Sequence, residues 1–372
     1  MSTRRWNRSL LAVTGTMVLA ASTLMAAPTT SAEDGPSLTV VASGLDNPRL
    51  LSFSGDGSLY VAEAGIGGNG PCVAGPEGPA CFGTSGAVTR ISNGHQARVL
   101  RALPSLASPE GFAALGPADV SVAGLRYAVT IGLGNDPAVR DQLPAAGKRM
   151  GTLITGTLPA AISKVLANLA SFEAANNPDG NVPDSNPVGF SRAGLGYVVA
   201  DAGGNDLLAV TASGKISVIA VFPDRLVDAP SFLPPGQIPM QAVPTSVVRG
   251  SDGAWYVSQL TGFPFPAGAA NIYRVVPGQP PTVYASGLTN VTDLAWSGGQ
   301  LYAVEIAGDA GLLAAEGLPM GSLVRINPDG SHSAVADDLP APYGVAMRGG
   351  VAYVTTCSVC PGAGSVVRIP LS

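Results

Sequence analysis

Short apolar runs built around tyrosine or valine, each closing on one polar residue, recur six times along the chain: 58–63, 125–130, 196–201, 254–259, 300–305 and 351–356. Six of the nine tyrosines fall inside these runs, so the copies share a side-chain role as well as a hydrophobic outline. Runs this short and almost continuously apolar predict strands covered on both faces. Before each copy the chain passes a fixed kind of entry: Asn47-Pro48, Gly116-Pro117, Asn186-Pro187, Val243-Pro244, Asn290-Val291 or Ala341-Pro342. Proline at the first position of a strand costs no interior ladder bond, so an inner strand is predicted to begin at each entry. After each copy a further strand is predicted, at 87–91, 151–154, 207–210, 271–275, 322–326 and 365–369. Turns such as Asn93-Gly94, Ser213-Gly214 and Asp329-Gly330 then lead into fourth strands.

A four-stranded unit repeated at intervals of roughly 45 to 70 residues predicts an all-β fold, a six-bladed β-propeller. The sixth unit stops at Ser372 before any fourth strand, whereas residues 38–45 read like the fourth strand at 282–288. The N-terminal strand is therefore expected in the last blade, where it closes the ring and covers an edge. The second blade, about 117–185, is rich in insertions. Within it Asp136-Pro137 predicts the start of a short helix through Leu143, and 163–175 fits an outer strand by repeat and a helix by composition.

Composition changes this picture at the N-terminus. Arg4, Arg5 and Arg8 precede an uncharged stretch at 10–24 and a small-residue site at Thr30-Ser31-Ala32, the layout of a Sec-type signal peptide over residues 1–32. The remaining domain, 33–372, is expected to be secreted or extracytoplasmic. With 17 basic against 25 acidic residues it carries about −8, which argues against nucleic acid and anionic membrane surfaces as partners. The expectation is a monomer without stable membrane insertion that meets a small molecule or a protein. All four cysteines, Cys72, Cys81, Cys357 and Cys360, lie in that exported domain, where disulfides are the default. Two local pairs, a link between the last and first blades, and an all-cysteine zinc site all fit the spacing.

Four segments, 172–180 (FEAANNPDG), 184–189 (DSNPVG), 200–206 (ADAGGND) and 260–266 (LTGFPFP), resemble the ScyD/ScyE family, and the likeness runs from about residue 38 to 369. That resemblance implies an exported, NHL-like β-propeller. The opening at 47–63 is also similar, more distantly, to the blade openings of sorbosone dehydrogenases and lactonase-type propellers.

Candidate chemistry falls in three places. His95 and His332 are the only histidines, and both follow turns that belong at the outer rim, which leaves no imidazole for a triad or a histidine-rich metal site at the centre. At the end of the second strands a polar register recurs: Glu63, Thr130, Asp201, Gln259, Glu305 and Thr356. Nearer the axis, Arg49, Asp119, Ser246, Asp293 and Tyr343 stand near the starts of inner strands. Asp119 and Asp293 share a register, so with Asn47 and Asn186 they would hold Ca²⁺ or Mg²⁺ through oxygen. The loop carrying Asn176, Asn177, Asp179, Asn181, Asp184 and Asn186 offers a second oxygen-rich site for Ca²⁺, with Asp179 and Asp184 as its carboxylates, although Asx-rich loops also form for conformational reasons alone. Two functions remain open: a binding or accessory propeller, and a metal-dependent, lactonase-like hydrolase at the channel mouth that uses Asp119, Asp293 and Glu63 or Glu305.

Overall fold

The computed structural model of the chain describes residues 38–371 apart from 76, 161, 309 and 310; the segment read as a signal peptide lies outside them. After an N-terminal strand β1 (Thr39–Leu45) the chain lays down successive antiparallel sheets. The first contains β2 (Pro48–Phe53), β3 (Leu59–Glu63), β4 (Cys72–Gly75), β5 (Gly78–Ser92) and β6 (His95–Ala107). The second contains β7 (Pro117–Ala123), β8 (Arg126–Ile131), β9 (Thr152–Thr157) and β10 (Ile162–Asn168), followed by the helix α1 (Leu169–Asn176). The third is β11 (Pro187–Ala193), β12 (Gly196–Asp201), β13 (Asp206–Val210) and β14 (Ile216–Val221). A ribbon of β15 (Arg225–Asp228) and β16 (Gln237–Met240) precedes the fourth sheet, β17 (Pro244–Arg249), β18 (Trp255–Gln259), β19 (Ala270–Val275) and β20 (Thr282–Leu288). The fifth is β21 (Val291–Ser297), β22 (Gln300–Glu305), β23 (Met320–Ile326) and β24 (His332–Pro340), and the last is β25 (Val345–Arg348), β26 (Val351–Thr356) and β27 (Gly364–Pro370).

The second strands are continuously apolar because each serves two junctions at once. On β12, Tyr197 and Val199 pack toward the second sheet with Leu153 and Phe190, whereas Val198 and Ala200 pack toward the fourth with Val247 and Val257. On β22, Leu301 and Ala303 face the fourth sheet and Tyr302 and Val304 face the last. A strand's alternation of faces thus feeds two separate cores, and each fully buried Leu, Val or Ile contributes roughly 1.5–3 kcal/mol.

The last sheet takes its fourth strand from the N-terminus. β1 pairs antiparallel with β27, Thr39 opposite Arg368 and Leu45 opposite Gly364. Ala42 and Leu45 join Leu51, Leu59 and Val61 of the first sheet and Ala346 and Val366 of the last in one cluster, so β1 also cements the junction between them. These antiparallel sheets, packed in succession with the last against the first, are those of a β-propeller.

Both readings of 163–175 hold in part: β10 runs through Asn168, and α1 begins at the next residue with the Asn168 side chain accepting the Ser171 N–H. The short helix after Asp136 is 3₁₀, Pro137–Gln142, with the Asp136 carboxylate capping Ala138 N. Cys72 bonds Cys81 across the β4–β5 pair and Cys357 bonds Cys360, the local pairing. The pairing accords with an oxidising compartment.

Candidate functional site

Strand direction sorts the connections onto two faces. Turns between first and second strands, and between third and fourth, are tight: Gly57 N–H bonds Ser54 O, Gly253 N–H bonds Gly250 O, Gly214 N–H bonds Thr211 O and Gly330 N–H bonds Asn327 O. The longer connections leave the opposite face. They hold both disulfides, α1, the β15–β16 ribbon and the segments linking β18 to β19 and β22 to β23.

At the axis the inner strands meet through side chains that are mostly apolar: Leu50, Ala118, Val188 and Ala202, with Val243 and Tyr343 against them. Close approach requires glycine here. A Cβ on Gly189 would lie 2.7 Å from Thr245 O and 2.8 Å from Ser246 Cα, and one on Gly344 would lie 2.7 Å from Arg49 O and from Leu50 Cα.

The axial candidates are committed to this packing. Arg49 donates to Ser358 O (2.8 Å) and Ala114 O (2.6 Å) with its guanidinium 4.8 Å from the centre of the Tyr343 ring, so these two residues do meet. Asp119 accepts Val120 N–H (2.7 Å) and, from the next sheet, Phe190 N–H (2.9 Å). Asp293 joins three sheets: it accepts the Ser246 hydroxyl (2.6 Å) from β17, Leu294 N–H (2.8 Å) and Val345 N–H (2.7 Å) from β25. Burial pushes both carboxyls up, Asp293 to about 7, against the hydrogen bonds that oppose the shift; the charge of Asp293 adds to the rise at Asp119.

The polar register at the second-strand ends clamps the entries to the inner strands. Glu63, fully buried, accepts Asp46 N–H (2.8 Å) and the Thr89 hydroxyl (2.5 Å) and forms a two-pronged pair with Arg98, whose Nη2 also reaches Asp46. Asp201 accepts Asn186 N–H (2.5 Å), the Ser185 hydroxyl (2.7 Å) and more distant N–H groups of Gly203 and Gly204. Glu305 accepts Thr289 N–H (2.6 Å) and the Ser322 hydroxyl (2.8 Å), and Gln259 accepts Asn271 N–H (3.1 Å). In each carboxylate case the donor N–H belongs to the residue just before the inner strand or one further back. His95 and His332 open β6 and β24, exposed and away from the axis.

The oxygen-rich loop forms a different centre. Asp179 accepts from Asn181 and from the Asn205 side chain (2.9 Å), which ties the loop to the β12–β13 turn. Asp206 stands opposite Asp201 in the β12–β13 pair, and Glu173 reaches the same turn from α1. Sequence reasoning passed over Glu173 and Asp206; two aspartates facing one another across a Gly-Gly turn were the available signal. Burial, then neighbouring carboxylates, push Glu173 up to about 7 and raise Asp206 well above the ordinary range, and the same causes bring Asp184 to about 6. These groups, with Asn177, collect buried oxygen acceptors about one turn.

Two further surfaces flank these centres. Phe232, Phe263 and Phe265 form a chain of rings on the long-loop face, centroids 6.4 Å apart at each step, with Phe232 67% exposed. On the tight-turn face a cavity of about 670 Å³ lies between the second and third sheets, lined in part by Arg126, Tyr127, Lys164, Arg192 and Tyr197 and by none of the carboxylates named above.

No family model matches the sequence, and no curated protein matches it. Solved structures do. Regucalcin from Agrobacterium tumefaciens strain C58, a calcium-binding protein, has TM-score 0.53 at 10% identity, covering 91% of this chain and 94% of that one. A gluconolactonase from Xanthomonas campestris has TM-score 0.51 at 10% identity over 90% and 89% of the two chains. A putative gluconolactonase gives TM-score 0.51 at 10% identity over 90% and 92%. At this identity the likeness is one of architecture, and the chain shares the β-propeller fold of those proteins.

Proposed function

We propose that the chain is an exported six-bladed β-propeller of the ScyD/ScyE type that binds a small aromatic or apolar molecule on its long-loop face. The observation that carries this reading is the row of Phe232, Phe263 and Phe265 on that face, with Phe232 and Phe263 exposed and Phe265 half-buried behind them, where aromatic side chains ordinarily find cover. The lactonase-like alternative needs Asp119 and Asp293 free to hold a cation, and the N–H and hydroxyl donors on both carboxylates count against it.

The test is a fluorescence titration of the mature chain, 33–372, with 1-anilinonaphthalene-8-sulfonate, beside the variant Phe232→Ser/Phe263→Ser. Both side chains are exposed enough for the fold to tolerate the change. Saturable binding that weakens at least about fivefold in the variant is expected. Equal binding by the two proteins overturns the reading, and lactone hydrolysis abolished by Asp293→Asn would replace it with the alternative.

A further inference from the structure

Where α1 and its following loop meet the β12–β13 turn, the fold buries acceptors without donors. Asp206 is 1% exposed, and neither of its carboxylate oxygens has a partner. Glu173 is 2% exposed with Oε1 unpartnered, and Asp184 Oδ1 and Asn177 Oδ1 are buried and unpartnered as well. Charge of this kind is among the costliest things a fold can bury unless a cation or a donor meets it. The charges that act most on Asp206 are those of Asp201, Glu173 and Asp179, all of the same sign.

Glu173, Asp206 and Asp201 surround one gap. The position a Cβ of Gly204 would take lies 3.2 Å from Glu173 Oε2, 3.6 Å from Asp206 Oδ1 and 3.7 Å from Asp201 Cγ; that of Gly203, by contrast, meets the backbone of Asp184 and Ser185, with Ser185 N at 2.7 Å and Asp184 Oδ1 at 2.8 Å. Only the absence of a side chain at 204 keeps the space clear. We propose that Asp206 and Glu173 bind one calcium ion in this gap, with Asp201 behind them.

The donor set is all oxygen, which selects a hard cation over zinc or copper. Calcium takes carboxylates singly or in pairs and tolerates irregular geometry, whereas magnesium demands a near-ideal octahedron. Among the described residues no three His, Cys, Asp or Glu side chains already stand together as a ligand set, so seating the ion turns Glu173 and Asp206 further into the gap. Asp179 has a different role, because its oxygens already take the donors of Asn181 and Asn205; it orders the loop. A bound ion would fasten α1 and that loop to the third sheet, independently of any ligand on the aromatic row.

The experiment uses the mature chain stripped with EDTA, then calorimetric titration with CaCl₂ and thermal unfolding. One calcium per chain is expected, with the midpoint raised by several degrees at about 100 times the dissociation constant. Asp206→Asn should weaken binding at least about tenfold, since it removes an anionic ligand. Gly204→Ala, which keeps every carboxylate and fills the gap, should do the same. Asp293→Asn, at the axis, should leave calcium affinity unchanged. In EDTA, Asp206→Asn should unfold no earlier than the unsubstituted chain, because it removes an unpartnered buried charge; this separates a lost ligand from a damaged fold. A stripped wild-type chain that takes up no calcium overturns the proposal, as do Asp206→Asn and Gly204→Ala variants that bind it normally. Equal affinity for Mg²⁺ overturns the assignment to calcium.

Discussion

Replacing Asp293 by asparagine asks whether the axial carboxylate is a strut of the ring. Oδ1 takes Ser246 Oγ and Leu294 N–H, and Oδ2 takes Val345 N–H. A carboxamide accepts on one side only, so Asp293→Asn sets an NH₂ against a buried N–H and orphans it, at about 1–3 kcal/mol. Titration adds a second contribution. Burial raises the carboxyl from 3.8 to about 7, so the folded chain holds a proton that the unfolded chain has released. That contribution is fully present below pH 3.8 and is lost as pH rises through about 7. Over the interval from pH 5 to pH 8 it amounts to roughly 2–3 kcal/mol, and the variant lacks it. Urea unfolding of both proteins in EDTA should therefore show the parent losing roughly 2–3 kcal/mol from pH 5 to pH 8 that the variant does not lose, so the variant's deficit is largest at pH 5 and shrinks or reverses by pH 8. Glu173 and Asp184, raised in the same direction, give both proteins a common slope that cancels in the difference. A stability difference equal at the two pH values would refute the argument.

Arg98→Met leaves Glu63 buried without its cation and should cost about 3–5 kcal/mol; adding Glu63→Gln should recover much of it, and urea midpoints of the single and double variants decide. Deleting residues 33–43 removes most of β1 and bares the β27 edge, so size-exclusion chromatography should show oligomers; a monomer that melts like the mature chain would sink ring closure by β1. Non-reducing peptide mapping should return Cys72 with Cys81 and Cys357 with Cys360, and Cys72→Ser should lower stability by about 2–3 kcal/mol for its short loop.

Most strands, their order and the closing role of residues 38–45 were legible in the chain because each depends on local pattern, whereas β4 and the β15–β16 ribbon, which lie outside the repeat, were not, and the last inner strand begins at Val345 rather than at Pro342. An apolar run flanked by Pro and Gly needs cover on two faces wherever it is placed, and a packed series of sheets supplies that cover at every copy. The rim position of His95 and His332 followed from the same register. What each polar residue does was not legible. Asp119 looked like half of a cation site until Phe190 N–H, 71 residues on, took one oxygen, and Asp293 until Val345 N–H, 52 residues on, did likewise. The reverse holds for Glu173 and Asp206, which read as ordinary helix and strand-end acids and emerge as buried carboxylates without donors. A side chain's burial follows from the pattern of its own strand, whereas its hydrogen-bond partner is whatever backbone the neighbouring sheet brings within 3 Å, and only the packed ring decides that.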